Sequence, residues 1–300
     1  MADFNINHIT GKHGSQGPTI AGITTVSSTG AMRNPNGRNL SRYIPEDVVT
    51  DGLIGYWDAG NSESYSGSGS SWYDLSPLKN TGTISGATYS SNNGGYFTLD
   101  GTNDLITNNY LTSPFRMNQR FFFSEVITYD IFIKLTSTLG WIMGTTTSGG
   151  HGSGGIGYYA PTTSPWYNTT EVETNKVLRC IWTPTTPESD TSWYAHMNSD
   201  PNGVWHHFVV AMSYSGKTDC TFYQDGEELT KKFIDRREVS NGVPAISYNS
   251  NANDNLAGGR YVNSQGYTPF DIAVIKLYDR ILSPEEVKQN FGAHRGRFSI

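Results

Sequence analysis

Cysteine is scarce: Cys180 and Cys220 are the only two in 300 residues. So few exclude a disulfide-stapled framework, and with no histidine at ligand spacing they do not make a zinc site. Both are expected as reduced thiols, Cys220 as a small core residue inside a strand. No run approaches about 18 consecutive apolar residues, so no transmembrane helix is expected. The stretch Met1–His8 has neither a charged n-region nor an apolar h-region, so no secretory signal peptide is expected and synthesis in a reducing cytoplasm is. Basic clusters are missing as well. The net charge of −6 is spread out, without an acidic tail or a block of Lys or Arg, which argues against a nucleic-acid-binding face.

Glycine, aromatics and short strand-like runs are abundant. The 33 glycines suit many turns, and 18 Tyr, 13 Phe and 7 Trp favour strands. A single sandwich of about 250 residues is within the usual range for one β domain. Three runs cut off by Gly, Asn, Asp or Pro open it: Gly52–Asn61, Trp72–Asn80 and Tyr96–Asp104. Ser66–Ser71 reads as a loop, and Ser91–Gly95 as a hairpin-type turn. Phe121–Leu135 is dense in β-branched and aromatic residues, as a central strand would be. Trp141–Gly144 reads as a short strand, and Gly149–Gly155 as too glycine-rich for regular structure. Residues 160–200, broken by Pro161, Pro165, Pro184 and Pro187 and followed by Pro201, read as an elaborated loop region at one edge.

Gly203–Tyr214 and Cys220–Leu229 form a hairpin, with a second turn at Asp225-Gly226. In the pair His206-His207 the two rings point to opposite faces of a strand, one packed and one exposed. Leu256–Tyr261 is a further short strand and Phe270–Asp279 a long one. Ser283-Pro284-Glu285-Glu286 opens the one convincing helix with a capping box; about two turns are expected, with Val287 and Phe291 as the apolar face.

Residues 1–44 read differently. Gly17–Gly30 is β-prone with little to pack on, and Lys12, Arg33, Arg38 and Arg42 give it a positive balance in an acidic protein. An extended arm that orders by adding a strand to a neighbouring protein fits this better than a solvating tail. Its anchoring residues would be Ile20, Ile23, Val26, Arg33 and Arg38. The division is therefore an arm over 1–44 and a sandwich over 45–300.

Six pieces in order carry a resemblance: Gly-Leu-Ile-Gly-Tyr-Trp (52–57), Trp-Tyr-Asp-Leu-Ser-Pro (72–77), Leu-Asp-Gly-Thr-Asn-Asp (99–104), Val-Trp-His-His-Phe-Val (204–209), Phe-Tyr-Gln-Asp-Gly-Glu (222–227) and the segment Asp271–Val287. Together they resemble the laminin-G / concanavalin A-like lectin superfamily. The fold this implies is all-β, a jelly-roll sandwich of two antiparallel sheets, here with one short C-terminal helix and an extended N-terminal arm. Residues 17–30 are similar to N-terminal segments of structural proteins in marine tailed phages, cyanophages among them. This implies a virion protein in many copies or a homo-oligomer, partnered with other virion proteins through its arm, with no nucleic-acid or membrane partner. It would be a capsid decoration, neck or fibre component.

The lectin resemblance adds three chemical questions. Carbohydrate hydrolysis in this fold uses paired carboxylates; Glu171-Val172-Glu173 and Glu188-Ser189-Asp190 lack the third acid of the enzyme pattern, so a non-enzymatic protein is expected and a depolymerase ranks last. No cofactor is required, although Ca²⁺ is common in such domains and its oxygen ligands would come from Asp58, Asn61, Asp104, Asn253 and Asp254. A carbohydrate-binding adhesin touching host-surface glycans is the alternative function. Its stacking residues would be Trp166, Tyr167, Trp193 and Tyr194.

Overall fold

The computed structural model describes residues 25–26, 32–33, 48–108, 126–136, 140–146, 153–159, 177–183, 191–199, 201–213, 219–235, 253–258 and 268–300. The chain divides into two compact units, Met1–Val48 and Val49–Ile300. In the first, β1 (Thr25–Val26) pairs antiparallel with β2 (Met32–Arg33).

The second unit is a sandwich. Its strands are β3 (Leu53–Asp58), β4 (Ser71–Trp72), β5 (Gly82–Ser85), β6 (Thr88–Ser90), β7 (Tyr96–Asp100), β8 (Leu105–Asn108), β9 (Val126–Leu135) and β10 (Gly140–Thr146). They continue with β11 (Ser153–Tyr159), β12 (Val177–Thr183), β13 (Thr191–His196), β14 (Trp205–Ser213), β15 (Asp219–Gln224), β16 (Glu227–Glu228), β17 (Lys231–Asp235), β18 (Asn253–Gly258) and β19 (Pro269–Tyr278). One helix, α1 (Pro284–Phe298), follows. Sheet I runs β16-β15-β14-β9-β19-β7-β6, with β3 also on β19. Sheet II runs β17-β13-β12-β11-β10-β18-β8-β5-β4. Every pairing is antiparallel.

The long strand β19 shows why the fold closes only near its end. One edge lies along β9, and the other is shared end to end by β7 and β3. A register shift between Ile272 and Val274 separates the two partners, and the carbonyl of Ala273 accepts from Ala59 N at 2.9 Å. Trp57 stands opposite Ile275, so the expected packing of Tyr56 and Trp57 near this strand is observed, with both fully buried.

Alternation then sorts the side chains. In β9, Ile127, Tyr129, Ile131, Ile133 and Leu135 enter the core between the sheets. Thr128, Asp130, Phe132 and Lys134 occupy the other face. That face is also buried over much of its area because α1 lies on it. Asp225 and Gly226, both at positive φ (53° and 84°), make the two-residue turn between β15 and β16 as an Asp-Gly hairpin requires.

Several expectations are corrected. The stretch 160–200 is not all loop: it supplies β12 and β13, which lie inside sheet II. The glycine run is not irregular throughout, since β11 begins at Ser153. Its glycines serve a close approach: a Cβ on Gly155 would fall 2.3 Å from the Met143 carbonyl oxygen and 2.7 Å from the Trp141 ring. The short strand placed at 256–261 is Asn253–Gly258. The helix spans 15 residues, not two turns, and its buried stripe is Val287, Asn290, His294 and Phe298. Finally, neither ring of the His206-His207 pair is exposed, because the core covers one face of β14 and α1 the other.

Candidate functional site

The outer face of sheet I is closed by α1, and its chemistry is internal. Asp130 of β9, Lys276 of β19 and His207 of β14 come from adjacent strands and are fully buried. Lys276 Nζ is 2.5 Å from Asp130 Oδ1, and His207 Nε2 lies 3.1 Å from the same oxygen. Asn290 of α1 donates from Nδ2 to Asp130 Oδ2 at 2.7 Å and to Tyr278 OH at 2.9 Å, and its Oδ1 accepts from Val49 N. Burial alone would raise the Asp130 carboxyl, but Lys276 and His207 hold it well below the usual carboxylate range. Burial lowers Lys276 against the pull of Asp130, and burial followed by the Asp130 charge pushes the Tyr278 phenol far up. This network fastens the helix to the sheet.

The outer face of sheet II is different. Residues directly opposite in an antiparallel pair share a face. The register therefore sets five positions in one row across five strands: Trp141 opposite Gly157, Gly157 opposite Arg179, Arg179 opposite Tyr194, and Tyr194 opposite Lys232. His196 follows Tyr194 by two positions on the same face, their rings 5.8 Å apart in an edge-to-face contact. Trp141 and Tyr194 are buried to 3% and 6% exposure, while Arg179 and His196 are half-buried. The row thus sets an arginine position between a glycine and a tyrosine, with a tryptophan position beyond the glycine. That chemistry suits an acceptor-rich ligand with an apolar ring face.

Of the residues singled out from sequence, Tyr194 joins this row. Trp193 holds the neighbouring position opposite Cys180, a residue of the core. Trp166 and Tyr167 lie outside the described residues, as do Ile20, Ile23, Arg38 and the two acidic clusters at 171–173 and 188–190. Val26 stands opposite Met32, and Arg33 opposite Thr25.

Three of the calcium candidates hold hydrogen bonds of their own. Asp58 Oδ1 accepts from Gly60 N at 2.8 Å and from Arg297 at 2.7 Å, and Asn61 Oδ1 caps Glu63 N. Asp104 Oδ2 accepts from Asp100 N. Asn253 and Asp254 belong to β18. Among the described residues no group of three His, Cys, Asp or Glu side chains is placed to hold a metal ion. Among the described residues no helix is long and apolar enough to cross a membrane. His206 and Asp225 form a separate pair at 2.6 Å. The other oxygen of Asp225 accepts from His207 N at 2.9 Å.

Arg179, Trp141, His196 and Lys232 were not foreseen as a group. Their one signal was Arg179 standing alone in the apolar run Val-Leu-Arg-Cys-Ile-Trp.

Comparison with known proteins agrees with the sandwich. Residues 105–288 match Laminin_G_3, the concanavalin A-like lectin/glucanases superfamily, and the chain belongs to that family. No curated protein matches. Among solved structures, Trypanosoma rangeli sialidase is similar at 17% identity and a TM-score of 0.51, over 81% of this chain and 33% of that one. The botulinum neurotoxin type G receptor binding domain is similar at 10% identity and a TM-score of 0.51, over 81% and 51%. The botulinum neurotoxin C/D mosaic receptor binding domain gives 10% identity and 0.52, over 81% and 52%. The chain thus spans a third to about half of those structures, and the likeness is one of fold. The expectation of a non-enzymatic protein is corrected by the same finding: sialidases, including a mutant with trans-sialidase activity, share this architecture, so the fold gives no ground for excluding catalysis.

Proposed function

We propose that the chain is a structural protein of a phage particle that displays its lectin-like sandwich on the particle surface and is attached to other virion proteins through residues 1–44. The likeness of residues 17–30 to N-terminal segments of phage structural proteins supports this reading. So does the division of the chain at Val48 into a small β-prone unit and a self-contained sandwich. The test is deletion of residues 1–44 in the phage genome, followed by protein analysis of purified particles. The deleted chain is expected to be missing from particles while still made in the host; incorporation at the normal level overturns the anchoring.

A second reading, contact with host-surface glycans, is favoured by the row Trp141–Gly157–Arg179–Tyr194–Lys232 on sheet II. The full chain is expected to retain acidic glycans on an array. Arg179→Ala is expected to weaken that binding roughly tenfold or more, the worth of a charge-assisted hydrogen bond. An array that is silent throughout, with and without Ca²⁺, overturns the reading, as does an Arg179→Ala chain that binds like the parent.

A further inference from the structure

The space between α1 and sheet I is balanced in charge before any histidine is considered. Asp130 is matched by Lys276, and at the far end of the helix Asp58 is matched by Arg297, whose Nη1 lies 2.7 Å away. Into this balanced space project two imidazoles. His207 is stacked on Phe132 at 4.5 Å and on Phe291 at 5.7 Å, and His294 meets Phe132 edge-on at 5.3 Å and Tyr56 at 6.2 Å. His207 is 0% exposed and His294 2%.

The groups facing them can be taken element by element. From β3 come Tyr56 and Asp58, from β9 Asp130 and Lys134, from β19 Lys276 and Tyr278, and from α1 itself Arg295 and Arg297. Lys134 is already paired with Asp271 at 2.5 Å. Asp58, Asp130 and Asp271 each have a lysine or arginine beside them, while Asp225, in the turn that packs on α1, pairs with His206 at 2.6 Å and accepts from His207 N. His207 Nε2 lies 3.1 Å from Asp130 Oδ1, whereas His294 Nε2 has no hydrogen-bond partner among the described residues, so a proton on the His294 ring adds an unmatched charge in a dry space.

We propose that α1 is an acid-releasable cover: charging of His294 on its buried stripe undocks the helix and bares the aromatic outer face of sheet I, with Tyr56, Phe132, Trp205 and Tyr278. The sheet can outlast the release because β9, β14 and β19 keep their pairing and their core face between the sheets. The helix holds its place through few apolar residues, and half of its buried stripe is the polar pair Asn290 and His294. Burial, then Lys276 and Arg297, hold His294 well below the ordinary imidazole range. The released state takes the proton first, so docking is at full strength above about pH 6.5 and weakens as the pH falls below it.

Hydrogen exchange of the full chain, read by mass spectrometry between about pH 7 and pH 5 and corrected for intrinsic rates, tests this. Exchange across 284–298 is expected to rise roughly tenfold or more, while β9, β14 and β19 stay protected. A His294→Gln variant is expected to lose that rise. Loss of protection in helix and strands together means ordinary acid unfolding and overturns the proposal; so does helix protection that is unchanged to about pH 5. A folded His294→Gln chain that still releases its helix as the parent does also overturns it. If that variant does not fold, the exchange pattern of the unaltered chain decides alone.

Discussion

Trp57 is fully buried in the core between the sheets. It faces Ile275 across β3 and β19, and its indole nitrogen donates to the Asn80 carbonyl at 3.0 Å. Gly55 makes room for the ring, since a Cβ there would fall 2.5 Å from it. Trp57→Ala is expected to cost about 3–5 kcal/mol, read as a lower urea midpoint in circular dichroism. An unchanged midpoint would contradict the closure of β3 on β19. Trp57 was legible because an aromatic pair in a short apolar run between turns is a core signal. Asp130 and Lys276 were not, although each is a charge inside an apolar strand. Their pairing joins residues 146 apart in sequence, and only the register of β9 against β19 reveals it.

At the scale of elements, α1 shows both sides of the same lesson. Its start was readable: Ser283 Oγ accepts from Glu286 N at 3.3 Å, and Glu286 Oε2 accepts from Ser283 N at 2.8 Å. Arg280 holds the same glutamate through two further hydrogen bonds of 2.7 and 2.6 Å and lowers its pKa. Ser283→Ala is expected to cost about 1 kcal/mol in urea unfolding, a loss confined to the cap. A midpoint equal to the parent's would mean that Arg280 and Glu286 hold the start of the helix alone. Its end was misread because Gly292 and Gly296 look like stops, each costing about 1 kcal/mol in a helix interior. Both are exposed, and the burial of His294 and Phe298 outweighs them. The strands β11 to β13 were missed for a related reason. Glycine fills β11, and prolines lie on either side of β12 and before β13, which masks the strand signal of the residues between them.

For the whole molecule, two sheets built from strands distant in sequence leave two unlike outer faces. The helix closes one, and a row of aromatic and basic positions marks the other. The family and the architecture could be read from six short motifs. The row could not, because it exists only once five strands are in register. Display on a particle is the claim on which the proposed function rests, and cryo-electron microscopy of the purified particle tests it most directly. The account predicts sandwich density on the outside of the particle, with residues 1–44 joined to neighbouring virion proteins. A particle that lacks this chain, or that holds it with the first 44 residues free of any neighbour, would contradict it.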